Sequence, residues 1–257
     1  MTNVTSGYVS IERGRMFYEV AGAGPAVLLI HGFGVDRRSW KDQFLAFAER
    51  YTVVNLDLRG FGLSSAPDGP YRYYDDLTAL LDQLGIERAA LVGSSLGARV
   101  AFDFAIARPE RTRAIVSADG VPSGFRFDRP PGAKRGPDPR QYKRTLDGLT
   151  PEKRAWLKAI VADYSRWHRR NPDPRVEVAP PAIERLHEVA APTLVLVGSD
   201  DLPDFHKAAD LLAMGIPRSR RHVIAGAGHL PNLETPEQFN RVVLEFIDMN
   251  RVYTLSR

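Results

Sequence analysis

Five short stretches of this chain are apolar almost from end to end: Ala26-Val27-Leu28-Leu29-Ile30, Thr52-Val53-Val54-Asn55-Leu56, Ala89-Ala90-Leu91-Val92, Ala114-Ile115-Val116-Ser117 and Thr193-Leu194-Val195-Leu196-Val197. Each has the length of a β-strand. A strand with one face in water alternates polar and apolar residues, whereas a continuous apolar run belongs to a strand covered on both faces. That pattern restricts the chain to a largely parallel sheet with helices on either side. Segments of helical spacing lie between the runs, with Trp40, Phe44 and Phe47 on one face of residues 39–49. Leu77, Leu80, Leu81 and Leu84 form the same kind of stripe over 73–84. Strand and helix in alternation specify an α/β sheet built with right-handed crossovers.

The remaining elements fit this plan. Tyr8–Ile11 and Met16–Val20 read as a leading hairpin, and His222-Val223-Ile224 as a last strand, which makes an eight-stranded, mostly parallel sheet. Helices are expected from Leu96, near 205–213, and from Pro236 to Met249. The alternation stops at about residue 121. Residues 121–188 begin rich in proline, glycine and arginine and then give one clear helix, with Thr150 as N-cap and Pro151 in the first turn. It is expected to run to about Arg170, before Asn171-Pro172. The simplest organisation is one α/β core, residues 1–120 and 189–257, carrying an inserted helical cap at 121–188.

Charge is distributed unevenly across these parts. Residues 121–180 hold 14 basic and 7 acidic side chains, so the rest of the chain is net negative although the whole carries +4. A basic lid of this kind is in the first place a solvated surface; the competing reading is a field that attracts an anionic small-molecule substrate. The weak overall basicity gives no reason to expect nucleic acid as a partner. No apolar run approaches the roughly 18 residues that cross a membrane, so no membrane is expected. The polar start Met1-Thr2-Asn3-Val4-Thr5 lacks a secretory pattern, and a soluble, cytoplasmic protein is the expectation. With no cysteine in 257 residues, disulfides, thiolate metal ligands and a cysteine nucleophile are all excluded. No metal and no other cofactor is implied, and nothing specifies an oligomeric state.

In an open α/β sheet, ligands bind beyond the carboxyl ends of the strands. The polar residues expected there are His31, Asp57, Ser95, Asp119, Asp200 or Asp201, and His229. Ser95 stands in Gly93-Ser94-Ser95-Leu96-Gly97, where a strand turns sharply into a helix and the glycines leave room for the turn. A serine hydroxyl is a poor nucleophile unless a base takes its proton and a carboxylate steadies that base. His229, in the small-residue loop Ala225-Gly226-Ala227-Gly228-His229, is the candidate base. His31 precedes a glycine turn and is expected to shape that turn. Asp201, three residues past Gly198, is favoured as the carboxylate, with Asp57 and Asp119 as rivals. Asp57 is expected to pair with Arg59 or to cap its loop. The backbone N–H groups of Leu96 and Phe33 are candidate donors to a developing oxyanion.

Taken together, His31-Gly32-Phe33-Gly34, Asp57-Leu58-Arg59-Gly60-Phe61-Gly62-Leu63-Ser64, Gly93-Ser94-Ser95-Leu96-Gly97, Gly198-Ser199-Asp200-Asp201 and Gly228-His229-Leu230-Pro231-Asn232-Leu233-Glu234 resemble the α/β-hydrolase superfamily over nearly the whole chain. The resemblance implies Ser95 as nucleophile, Asp201 as acid and His229 as base, with Phe33 and Leu96 forming the oxyanion hole. It is similar to small serine esterases and enol-lactone hydrolases, so the expected reaction is hydrolysis of a small ester or lactone through an acyl-enzyme. A serine at position 95 argues against the haloalkane dehalogenases and epoxide hydrolases of this fold, which use a carboxylate nucleophile. Leu230 stands where the C–C bond hydrolases usually carry tryptophan. The alternatives are a C–C bond hydrolase or lyase acting on an anionic carboxylated substrate, and a non-enzymatic ligand receptor on the same fold. Arg99 resembles an arginine that binds a substrate carboxylate in related lyases, and a surface salt bridge is its competing reading. Trp156, Ile160, Tyr164 and Trp167 form an apolar stripe on the lid helix, read first as lid-to-core packing, with Trp156 and Tyr164 as candidate substrate contacts.

Overall fold

The apolar runs become strands whose alternate residues pack into two separate layers. In the computed structural model, which describes residues 3–128, 139–163 and 171–251, the chain begins with β1 (Val4–Ile11), β2 (Gly14–Ala21) and β3 (Ala26–Ile30). It continues through α1 (Lys41–Ala48), β4 (Thr52–Leu56), α2 (Tyr73–Gln83), β5 (Ala89–Ser94), α3 (Leu96–Ala107) and β6 (Thr112–Ala118). Then come α4 (Pro139–Asp147), α5 (Pro151–Asp163), β7 (Thr193–Gly198), α6 (Pro203–Gly215), β8 (Ser219–Ile224), α7 (Pro231–Glu234) and α8 (Pro236–Met249). Leu28 and Ile30 of β3, Leu91 of β5 and Val195 and Val197 of β7 face the layer of α2, α3 and α6. Val27, Leu29, Val92, Leu194 and Leu196 face the opposite layer, formed by α1 and α8. Each such fully buried side chain contributes about 1.5–3 kcal/mol, which is why the runs are apolar at nearly every position.

The single eight-stranded sheet has the order β1-β2-β4-β3-β5-β6-β7-β8. β1, β2 and β4 pair antiparallel, and every pairing from β4 through to β8 is parallel. The chain goes from β3 to β4 on one side and then crosses to β5 on the other side of β3. This reversal opens a crevice at the carboxyl ends of β3 and β5, the place where such sheets receive ligands.

Several boundaries differ from the sequence expectation. The helix expected over 39–49 begins as a 3-10 turn, Arg37–Trp40, because Asp36 caps it by accepting from the Arg38 N–H at 2.9 Å. β8 starts at Ser219, three residues earlier than the apolar pattern indicates. It is an edge strand, and Arg220, Arg221 and His222 give it the polar character that edges favour. α4 and the four-residue α7 are too short and too polar to stand out as apolar stripes in the sequence.

Residues 121–188 leave the end of β6 and return at the start of β7. Thr150 caps α5 as expected, its Oγ1 accepting from the Lys153 N–H at 3.3 Å. Described helix ends at Asp163, so the remainder of the expected helix lies outside the described residues. Leu149, Leu157 and Ile160 form a small cluster with Val35 and with Leu233 of α7. At its base, Asp103 of α3 accepts from Ser123 Oγ at 2.7 Å and the Val178 N–H at 3.4 Å, and Ser123 Oγ accepts from the Ala182 N–H at 2.8 Å.

Candidate active site

The β5–α3 turn holds Ser95 at φ 51°, ψ −108°, a left-handed conformation that a residue with a Cβ adopts at a cost of about 1–3 kcal/mol. Its neighbours hold it there. The Ser95 N–H donates to the Ala118 carbonyl at 2.8 Å. A Cβ on Gly97 would lie 2.0 Å from the Ile30 carbonyl oxygen, and one on Gly93 would lie 2.4 Å from the Ala98 nitrogen. Only glycine allows α3 to start this close to β3 and β5, and that closeness pushes the Ser95 side chain out of the turn.

Two further strand ends meet it. Ser95 Oγ lies 3.1 Å from His229 Nε2, and His229 Nδ1 lies 2.7 Å from Asp201 Oδ2. Asp201 Oδ1 also accepts from the Leu202 N–H at 2.7 Å, which fixes the carboxylate plane. With Nδ1–H donated to Asp201, Nε2 is the lone-pair nitrogen and can take the Ser95 proton. The imidazole packs against Phe205 of α6, with ring centroids 4.4 Å apart. Leu96 opens α3, so its N–H points out of a helix N-terminus beside Ser95. Phe33 lies in the turn after β3, its ring 38% exposed and edge-on to Phe61 at 5.9 Å.

The rivals take other places. Asp57 is fully buried and accepts from Arg37 Nη1 and the Arg37 N–H, each at 2.9 Å, and from the Leu63 N–H at 2.9 Å. It caps its loop as expected, but its cation is Arg37; Arg59 pairs with Asp76 at 2.6 Å, because its side chain runs inward between Tyr71 and Asp76. His31 donates from Nδ1 to the Gly32 carbonyl at 2.8 Å and accepts at Nε2 from the Leu58 N–H at 3.0 Å. Burial lowers its pKa, so it stays neutral and ties the turn after β3 to that after β4. Asp200 pairs with Arg144 at the surface. Asp119 is buried beside Asp201, and one of its oxygens accepts from the Gly198 N–H at 2.9 Å.

Of the expected substrate contacts, Arg99 is held by Glu177 at 3.0 Å, so its guanidinium is occupied within the protein. Trp156 is partly buried and lies under Lys41 Nζ, 4.4 Å from the ring centroid. Tyr164 and Trp167 lie outside the described residues. A residue that closes the Gly228–Glu234 motif, and to which the sequence assigns no role of its own, is Glu234. Its carboxylate accepts from the Gly228 N–H at 2.8 Å and the Leu230 N–H at 2.9 Å, clamping the backbone on both sides of His229. Burial raises its pKa against these stabilising hydrogen bonds. Its five-residue spacing from His229 was the one hint available.

The chain resembles known proteins over nine-tenths or more of its length. It is 31% identical to a 2-hydroxy-6-oxononadienedioate/2-hydroxy-6-oxononatrienedioate hydrolase of Paraburkholderia phymatum, covering 95% of this chain and 96% of that one. It is 28% identical to a putative carbamate hydrolase, RutD, of Azorhizobium caulinodans, over 90% and 94% of the two chains. Among solved structures, an N-acyl homoserine lactone degrading enzyme superposes with a TM-score of 0.78 at 26% identity, covering 93% of this chain and 100% of that chain. An esterase from a Rhodococcus species gives 0.77 at 26% identity, over 96% and 99%. A sequence model of the alpha/beta hydrolase family matches residues 27–242. That span takes in every strand except the leading hairpin, and the chain belongs to the alpha/beta hydrolase family as a hydrolase.

Proposed function

We propose that the protein is a serine hydrolase cleaving a small carboxylic ester or lactone through an acyl-enzyme. The observation that carries this reading is the unbroken line from Ser95 Oγ through the His229 imidazole to Asp201, at 3.1 Å and 2.7 Å. Ser95 Oγ attacks the carbonyl carbon while its proton passes to His229 Nε2. The imidazolium is steadied by Asp201 at Nδ1. The carbonyl oxygen becomes an oxyanion facing the Leu96 and Phe33 N–H groups, each such donor being worth about 3–4 kcal/mol to the transition state. The intermediate collapses as His229 returns the proton to the leaving alkoxide, which in a lactone stays attached to the acyl group. Water, deprotonated by His229, then attacks the acyl-enzyme and releases the acid and Ser95. Residues 121–188 form the cap of this site and set the size of acyl and alcohol groups admitted.

The test is labelling with a serine-directed phosphonate read by intact mass, together with turnover of short esters and lactones. The wild-type protein is expected to gain one adduct, and Ser95→Ala to gain none and lose turnover while melting like wild type. A wild-type protein that stays unlabelled at high reagent overturns the reading. A second reading, C–C bond hydrolysis of an anionic carboxylated substrate, is supported by the likeness to the Paraburkholderia hydrolase. Arg99 would have to leave Glu177 to serve it, and Arg99→Ala should then abolish activity on carboxylates while sparing neutral esters.

A further inference from the structure

Two carboxyl groups lie side by side behind His229. Asp119 is 1% exposed at the end of β6, and one of its oxygens, one of Asp201 and one ring nitrogen of His229 lie within 4.8 Å of one another. Asp119 Oδ1 accepts from the Gly198 N–H at 2.9 Å. Its Oδ2 is buried and finds no N–H or hydroxyl donor among the described residues. The carboxyl of Asp201 is its near neighbour, with an oxygen within 4.8 Å of one of Asp119. Two carboxylates cannot hydrogen-bond to each other, since both only accept; a carboxylic acid and a carboxylate can. Like charges this close in a buried place do not both ionise.

We propose that Asp119 is a positioning residue for the reaction assigned above: its protonated carboxyl donates to Asp201, and the bond holds Asp201 turned toward His229. The inference rests on Ser95, His229 and Asp201 acting as a hydrolytic triad. Asp119 is the member that keeps the proton for three reasons. Asp201 receives hydrogen bonds from His229 and the Leu202 N–H, both of which favour its charged form. Asp119 receives a single backbone N–H. The ionisable groups facing it are Asp201 from the β7 loop, His229 from the β8 loop and Glu234 from α7, and both acids oppose a further negative charge. Burial first, and then the charge of Asp201, raise its pKa well above that of an ordinary carboxyl. Asp119 also sits at φ 48°, a left-handed conformation that turns its side chain back over the strand end toward Asp201.

The experiment compares Asp119→Ala and Asp119→Asn in the full chain. Asn keeps a donor facing Asp201 and an acceptor facing Gly198, and like the protonated acid it is uncharged. Asp119→Ala is expected to lower kcat by about 10- to 100-fold with KM little changed, the loss typical of a misplaced catalytic group. Asp119→Asn is expected to restore kcat and to leave the acidic limb of the kcat/KM profile where wild type has it. An infrared difference spectrum at mildly alkaline pH should show the carbonyl stretch of a protonated acid in wild type and not in Asp119→Asn. Three results would each overturn the proposal: no such band, an Asp119→Ala enzyme with wild-type kcat, or an acidic limb displaced downward by about one unit or more in Asp119→Asn, as expected if an ionised neighbour of His229 were removed. Should Asp119→Ala fail to fold, the band and the Asn profile decide the matter. Absence of turnover with every ester would sink the hydrolytic reading alone, because the band reports the proton without reference to activity.

Discussion

The floor of the site and the α5 part of the segment above it are held by different kinds of force. The floor is set by exclusion and by buried hydrogen bonds. Gly97 allows no Cβ beside the Ile30 carbonyl, and Ser95 is locked by a backbone bond to β6. His229 is clamped on both flanks by Glu234. The far part of the segment rests on partly exposed ion pairs, Lys153 with Asp42 at 2.8 Å and Arg38 with Asp163 at 3.0 Å, and on one small apolar cluster. Steric and buried polar constraints define atom positions to fractions of an ångström. Solvent-exposed ion pairs contribute about 0–1 kcal/mol each and tolerate adjustment. Under the proposed function, the closely held part fixes the chemistry and the cap segment is free to differ with substrate. The basic surplus of the segment also takes on a second meaning, since its Lys153 and Arg144 pair with carboxylates of the core.

The sharpest way to break this comparison is at the floor. Asp201→Asn keeps the shape of the side chain but cannot stabilise the imidazolium, and its amide can hold the wrong tautomer. A fall in kcat of about 10⁴-fold is expected, with the melting temperature nearly unchanged. Stopped assays across a pH series check it, and a loss below about tenfold would remove Asp201 from the relay.

The next effect is on stability and lies where the two regions join. Asp103 is buried under Ser123 and Val178, and burial pushes its carboxyl from 3.8 up to about 6. A raised carboxyl means that the folded chain holds a proton the unfolded chain has released. Stability from this group is full below about pH 4 and is lost as pH rises through about 6, by about 3 kcal/mol in all. Asp103→Asn has no such titration, so denaturant unfolding across this window should show a flatter dependence than wild type. Equal slopes would mean that the base of the segment is wetter than the geometry requires.

Glu234→Gln tests the clamp. Glutamine offers one acceptor where glutamate offers two, so either the Gly228 or the Leu230 N–H meets an amide donor. A drop in kcat of about 10-fold, with KM and melting temperature little changed, is expected from the small displacement of His229. Much of the rest of the floor was legible in the sequence. The continuous runs at β3, β5 and β7 specify burial on both faces, and Gly93 and Gly97 mark the close approach at Ser95. The pairing of Asp57 with Arg37 was not legible, nor were the roles of Glu234 and Asp119. Periodicity reports which side of an element is buried, while partner choice among buried acids depends on how loops from separate strands cross. The helix α4 is hidden for another reason: its sequence, Pro139–Asp147, is amphipathic but so polar overall that Tyr142 and Leu146 are its only large apolar side chains.

The smallest expected effect probes the segment itself. Lys153 Nζ bridges Asp42 at 2.8 Å and the Leu233 carbonyl at 3.0 Å, spanning from α5 to α1 and α7. Both charged side chains are partly exposed, so water screens the pair. Lys153→Ala should cost less than about 1 kcal/mol in unfolding free energy. The cost should shrink further in about 1 M salt, where the screening length is about 3 Å. A double-mutant cycle with Asp42→Ala should give less than the sum of the two single losses if the pair is the interaction removed. For activity, kcat should stay near wild type while KM changes with the size of the ester. Leu233 stands next to Glu234, so a kcat loss matching that of Glu234→Gln would mean that the segment presses on the histidine clamp. The division between a rigid floor and an adjustable cover would then fail at this contact, and catalysis would depend on how the cover is seated.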